Sequence, residues 1–162
     1  MTSNYNKLID RLTEGELILI DGATGTEMER RGVPHLENAW NGGAAMSHPD
    51  IVINVHQDYI RHGAQVVIAN TFANTWQAMK DSGHENEFLA YNQRGVELAV
   101  EARDQLAQPD VVVAGGISHW SWTDNHPDQD QLYNTVCDQA RVMKEVGADL
   151  LMLEMMIDVE PS

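Results

Sequence analysis

Asp21, Asn70 and Glu154 each follow a short apolar run: Leu17-Ile18-Leu19-Ile20, Val66-Val67-Ile68-Ala69 and Leu150-Leu151-Met152-Leu153. In parallel α/β folds ligands sit at the carboxyl ends of the strands, so polar side chains in these places are candidate site residues. Asp21 opens the segment Asp21-Gly22-Ala23-Thr24-Gly25-Thr26-Glu27, an acid on a glycine-bearing turn. Taken alone, that segment is more plainly a turn, since Asp and Gly are common turn residues. His119, Asp124 and His126 are metal-ligating types, but their spacing fits no familiar zinc pattern, and we read them as a solvated loop.

The elements needed to position these residues alternate along the chain. Residues 4–13 carry Leu8, Ile9 and Leu12 at helical spacing. The first strand is expected at 17–21. The stretch from Gly22 to Gly43 has no clear period and reads as a long loop with one helical turn. Ser47-His48-Pro49-Asp50 starts a helix with Ser47 as its cap, and Ile51, Val52, Val55, Tyr59 and Ile60 share its inner face. His48, His56 and His62 are expected on its solvent side, and Gly63 ends it. A strand at 65–69 follows, then helical segments at 75–80 and 85–107, the latter with Leu89, Val96, Ala99, Val100 and Leu106 inward. A strand at 110–114 precedes Gly115-Gly116, and a helix at 127–146 leads to a strand at 149–153.

The apolar runs are continuous, as in parallel strands covered on both faces. A weak repeat supports this. His62-Gly63-Ala64-Gln65-Val66-Val67-Ile68-Ala69-Asn70 resembles Val146-Gly147-Ala148-Asp149-Leu150-Leu151-Met152-Leu153-Glu154, each a helix end, Gly-Ala, a strand and a polar residue. Right-handed crossovers would gather Asp21, Asn70 and Glu154 on one rim.

The 162 residues suffice for one domain with a core. Net charge is −15, with 25 acids against 10 Lys and Arg, which argues against a nucleic-acid backbone or an anionic membrane surface as partner. There is no apolar run of membrane-spanning length and no signal-peptide core, and the single cysteine excludes an internal disulfide. A cytoplasmic location fits best.

Asp21 to Glu27, Asn70-Thr71-Phe72 and Gly147 to Glu154 together resemble, in order and spacing, the opening half of the homocysteine S-methyltransferase domain. The resemblance covers nearly the whole chain. It implies the N-terminal half of a (β/α)8 barrel, about four parallel strands with helices, in a single domain over 1–162. It implies homocysteine and a small methyl donor as partners, with the product methionine. Asp21 and Glu154 would hold the substrate's amino group, since an ammonium needs charge-assisted acceptors. Gly22 and Ala23 would offer N–H groups to its carboxylate. Asn70, Thr71 and Phe72 would form pocket wall, or else a polar strand end with Phe72 in the core.

The family uses a thiolate-bound zinc ion to keep the homocysteine sulfur deprotonated. Its zinc cysteines belong to the second half of the barrel. Cys137 matches none of them and reads as a small buried helix residue. The chain is therefore expected to be truncated before the zinc half and inactive alone, with a further helix beginning near Asp158. Gly115-Gly116-Ile117-Ser118 departs from the family's usual run after the third strand. Trp120 and Trp122 suit an aromatic wall for a cationic donor, but an exposed or subunit-contacting loop is the plainer reading. Two other functions stay open: a non-catalytic half-barrel that homo-oligomerises through exposed edges, and another (β/α)8 enzyme.

Overall fold

Three parallel strands lie side by side: β1 (Val66–Ile68), β2 (Val112–Ile117) and β3 (Leu150–Leu153), in that order. The structure is a computed structural model that describes residues 3–156. The helix start expected near Asp158 lies outside the described residues. Val66 stands opposite Val112, and Ala114 opposite Leu150. Between β1 and β2 run α5 (Trp76–Asp81), a 3-10 turn (Glu85–Glu87) and α6 (Phe88–Gln105); α7 (Gln129–Glu145) connects β2 to β3. Before β1 come α1 (Asn4–Thr13), α2 (Thr24–Arg30), α3 (Ala44–Ser47) and α4 (Pro49–Arg61). This is an α/β arrangement of consecutive parallel units, and it corresponds to part of a barrel.

The expected first strand is reduced to one bridge, Ile20 beside Val66. The reason is local. The Leu19 N–H is taken by the Gln65 side-chain oxygen at 3.1 Å, while the Leu19 carbonyl accepts from Gln65 N at 2.8 Å. The segment therefore has one partner strand, met partly through a side chain. Its other side is open: Leu17 is 96 % exposed, and Leu19 and Ile20 are exposed too. At the opposite edge Leu151 and Leu153 are exposed.

One face of the sheet carries the main core. Val67, Val113 and Ile117 pack with Ile60 of α4, Val96 and Ala99 of α6 and Met143 of α7. The other face presents Val66, Val112 and Ala114, covered by Leu8 of α1. Helix starts follow their caps. The Thr75 hydroxyl accepts from Ala78 N–H at 3.0 Å, and the Asp128 carboxylate from Gln131 N–H at 2.8 Å. The repeat is structural: Gly63 and Gly147 have φ of 98° and 108°, a left-handed turn that glycine adopts without Cβ strain, and each leads directly into a strand.

Several sequence expectations change. The loop after Asp21 contains a seven-residue helix, α2, because Met28 is drawn into a second core with Val33, Val52 and Leu98. Ser47 ends α3 instead of capping α4, whose cap position is His48 with Pro49 first in the helix. His56 is fully buried on α4, between the turns that carry Val52 and Ile60. Leu89 is exposed, since Phe88, Tyr91 and Asn92 take the inner face of α6. Strand β2 continues through Gly115 and Gly116 to Ile117. Cys137 is exposed, because α7 turns Gln139 and Met143 inward instead.

Candidate functional site

Asp21 is fixed by its own backbone and by β1. Its N–H donates to Val66 O at 3.0 Å, and the Ile68 N–H donates to its Oδ2 at 2.9 Å. The carboxylate thus takes the place of a strand neighbour for β1. Its second oxygen, Oδ1, is buried without a partner, and the residue is 6 % exposed. Glu154 is placed the same way, its N–H donating to Ile117 O at 2.9 Å at the end of β2. Glu154 Oε1 is also buried without a partner. It lies against Gly116, where an added Cβ would collide with it. The glycine is thus required for the acid to lie along the sheet.

Burial pushes the Asp21 carboxyl up to about 7; nearby Glu154 adds to the rise and the Ile68 N–H opposes it. Burial also raises Glu154. Two acids with unmet acceptor atoms, each holding its proton more tightly than usual because of burial, suit a cation that supplies the missing donors.

Glu154 lines a cavity of about 50 Å³ together with Gly22, Thr24, Gly25, Trp40, Asn41, Ile68, Asn70, Phe72 and neighbours. Of the residues singled out from sequence, Gly22, Asn70, Phe72 and Glu154 meet at this cavity. Asp21 adjoins it through Gly22 and its coupling to Glu154. Ala23 is exposed and does not line it. The Gly22 and Ala23 N–H groups have no hydrogen-bond partner among the described residues. Thr71 is fully buried; its hydroxyl donates to Gly116 O and accepts from Gly116 N–H, both at 2.9 Å, and so ties the end of β1 to β2. Phe72 meets the Trp122 ring edge-on at 6.3 Å, and Trp122 meets Trp120 at 6.5 Å, so the aromatic loop stands behind the cavity wall.

Asn70 is held by a buried polar chain that the sequence reading missed. Asn74 Nδ2 donates to Asn70 O at 3.1 Å, Asn92 Nδ2 to Asn74 O at 2.9 Å, and Gln139 Nε2 to Asn92 Oδ1 at 2.8 Å. Asn92 and Gln139 each break an apolar helical stripe, which is the signal that could have revealed them. Trp40 and Asn41 were hidden in the loop without period. The Trp40 ring covers Gly25, where a Cβ would come within 2.6 Å of it.

A sequence profile for the family described as "Homocysteine S-methyltransferase" matches residues 18–161. The chain belongs to that family. Among homocysteine S-methyltransferase relatives, it is 28 % identical to Homocysteine S-methyltransferase YbgG of Bacillus subtilis (strain 168), over 85 % of this chain and 50 % of that protein. It is 27 % identical to Betaine–homocysteine S-methyltransferase 1 of Danio rerio, over 94 % of this chain and 38 % of that one. The crystal structure of the homocysteine methyltransferase MmuM from Escherichia coli, metallated form, superposes with a TM-score of 0.74 at 27 % identity, covering 88 % of this chain and 55 % of that one. The chain spans about half the length, or less, of these relatives.

The zinc that the family implies finds no fitting donor set here. Among the described residues no group of three or more His, Cys, Asp or Glu side chains is arranged to hold a metal. Cys137 stands exposed on α7, and Asp21 and Glu154 are two acids without a third ligand. No helix of the described residues is long and apolar enough to cross a membrane.

Proposed function

We propose that this chain is the amino-acid-holding half of a homocysteine S-methyltransferase. The unpartnered oxygens Asp21 Oδ1 and Glu154 Oε1, at the ends of the two outer segments that flank β1 and β2, carry the reading. The substrate's ammonium lies between the two carboxylates, which become ionised as it enters. The Gly22 N–H faces its carboxylate. Asn70 and Phe72 wall the pocket, and Thr71 keeps that wall attached to β2. Methyl transfer requires attack by the homocysteine sulfur on the methyl carbon of a donor, whose leaving group departs with the bonding electrons. The thiol proton must be lost first, and the described residues offer no zinc-type donor set to draw it off. The chain therefore binds and orients the substrate but does not activate it, and alone it does not turn over.

Calorimetry with homocysteine, under reducing conditions, at about pH 6 and about pH 8 tests this reading. An ammonium ligand displaces the Asp21 proton, so affinity rises with pH through the raised Asp21 value. Absence of binding at both pH values would refute it. The exposed leucines at both sheet edges favour a second element, self-association along those edges. Sedimentation of the wild type against Leu153→Lys measures it; an unchanged monomer in both rejects it.

A further inference from the structure

Asn41 is 1 % exposed, and neither its Oδ1 nor its Nδ2 has a hydrogen-bond partner. A buried amide with both ends unmet is costly unless something else completes it. Its backbone is committed, with Ala44 N–H donating to Asn41 O at 3.0 Å, so the loop holds the side chain in place. The amide borders the same cavity as Gly22, Asn70 and Glu154. His56 also has two unmet nitrogens, but it does not line that cavity.

The unmet atoms of the cavity divide by type. Asn70 Oδ1 can only accept, and Glu154 Oε1 becomes acceptor-only once ionised, so both suit an ammonium. Asn41 Nδ2 is the one fully buried, unpartnered side-chain donor among the described residues that line it. No Lys or Arg lines it either. The negative end of a zwitterion therefore has neutral donors alone to meet it. A neutral amide suits this place, because a cation there would compete with the ligand's ammonium for Glu154. The volume, about 50 Å³, compares with about 30 Å³ for one water in the liquid. That is room for a small polar group.

We propose that Asn41 is a substrate-binding residue that selects α-amino acids, its Nδ2–H donating to the ligand carboxylate beside the Gly22 N–H. This rests on the homocysteine reading and adds to it the residue that distinguishes the amino acid from a simple aminothiol.

The test compares homocysteine with 3-aminopropanethiol, which keeps the ammonium and thiol but lacks the carboxylate. Calorimetry on the 162-residue chain measures both ligands against wild type, Asn41→Asp and Asn41→Ser. Asn41→Asp places a like charge against the carboxylate. It should weaken homocysteine binding by roughly 10- to 100-fold, with 3-aminopropanethiol changed by less than about 3-fold. Asn41→Ser should fall between. A loss equal for both ligands overturns the proposal. A second measurement needs no variant: the side-chain amide resonances of Asn41 in the wild type should move with homocysteine and stay put with 3-aminopropanethiol. Homocysteine binding that leaves those resonances unmoved refutes the role of Asn41 alone. Failure of the wild type to bind any α-amino acid refutes this role and the homocysteine reading together.

Discussion

Asp21→Asn separates the cost of the buried acid from everything else in the fold. The folded Asp21 keeps its proton up to about pH 7, whereas an ordinary aspartate releases it near 3.8. Folding therefore takes up a proton between those values, and stability falls as pH rises through that window. The full rise is worth about 4 kcal/mol, and relaxation with water entry on ionisation brings the expected loss to between about 2 and 4 kcal/mol. His56 acts in the opposite sense. Burial lowers it from 6.5 to about 4, so the unfolded chain binds the extra proton and stability is lost as pH falls through that range. The two slopes oppose each other between about pH 4 and about pH 6.5, and the wild type alone would look nearly insensitive.

The amide that replaces the carboxyl in Asp21→Asn retains an oxygen acceptor for the Ile68 N–H and carries no charge. Urea unfolding followed by circular dichroism, in steps from about pH 4 to about pH 8, gives the difference between variant and wild type. The −15 net charge contributes almost equally to both proteins and cancels. The variant should gain about 2–4 kcal/mol on the wild type as pH rises across the window, while losing homocysteine binding. A difference that stays flat with pH would refute the assignment of a buried, proton-holding Asp21.

Thr71→Val keeps the shape but strips Gly116 of both its partners, and should cost about 2–4 kcal/mol in urea unfolding. Asn92→Ala should cost a similar amount, about 2–4 kcal/mol, since it removes the donor to Asn74 and the acceptor for Gln139; denaturant midpoints check it. Gly116→Ala pushes Glu154 off the sheet, and calorimetry should show homocysteine affinity falling by about tenfold or more.

The repeated units were readable because their signals are local. Gly63 and Gly147 mark helix ends by the one conformation that glycine accepts readily, and the apolar runs after them could only be strands or buried helix. Asp21, Asn70 and Glu154 were readable from strand-end position. Strand 17–20 was overread because apolar character reports burial, while pairing depends on a neighbour, and Leu17 has none. His56 was misplaced because a polar type on a helix was taken for its outer side; nothing local reveals that the folded chain encloses it. Asn41 was missed for a related reason. The loop that carries it has no period, so only the folded chain shows which of its side chains reaches the cavity.

The bond from the Ile68 amide to Asp21 makes one backbone hydrogen part of both the sheet and the site. When a ligand's ammonium draws negative charge onto Asp21, this acceptor strengthens and the amide is held more firmly. Ile68 is thus an internal gauge of occupancy: its amide exchange should slow on binding by more than that of neighbouring β1 amides. The first strand of the sheet would register the arrival of such a ligand.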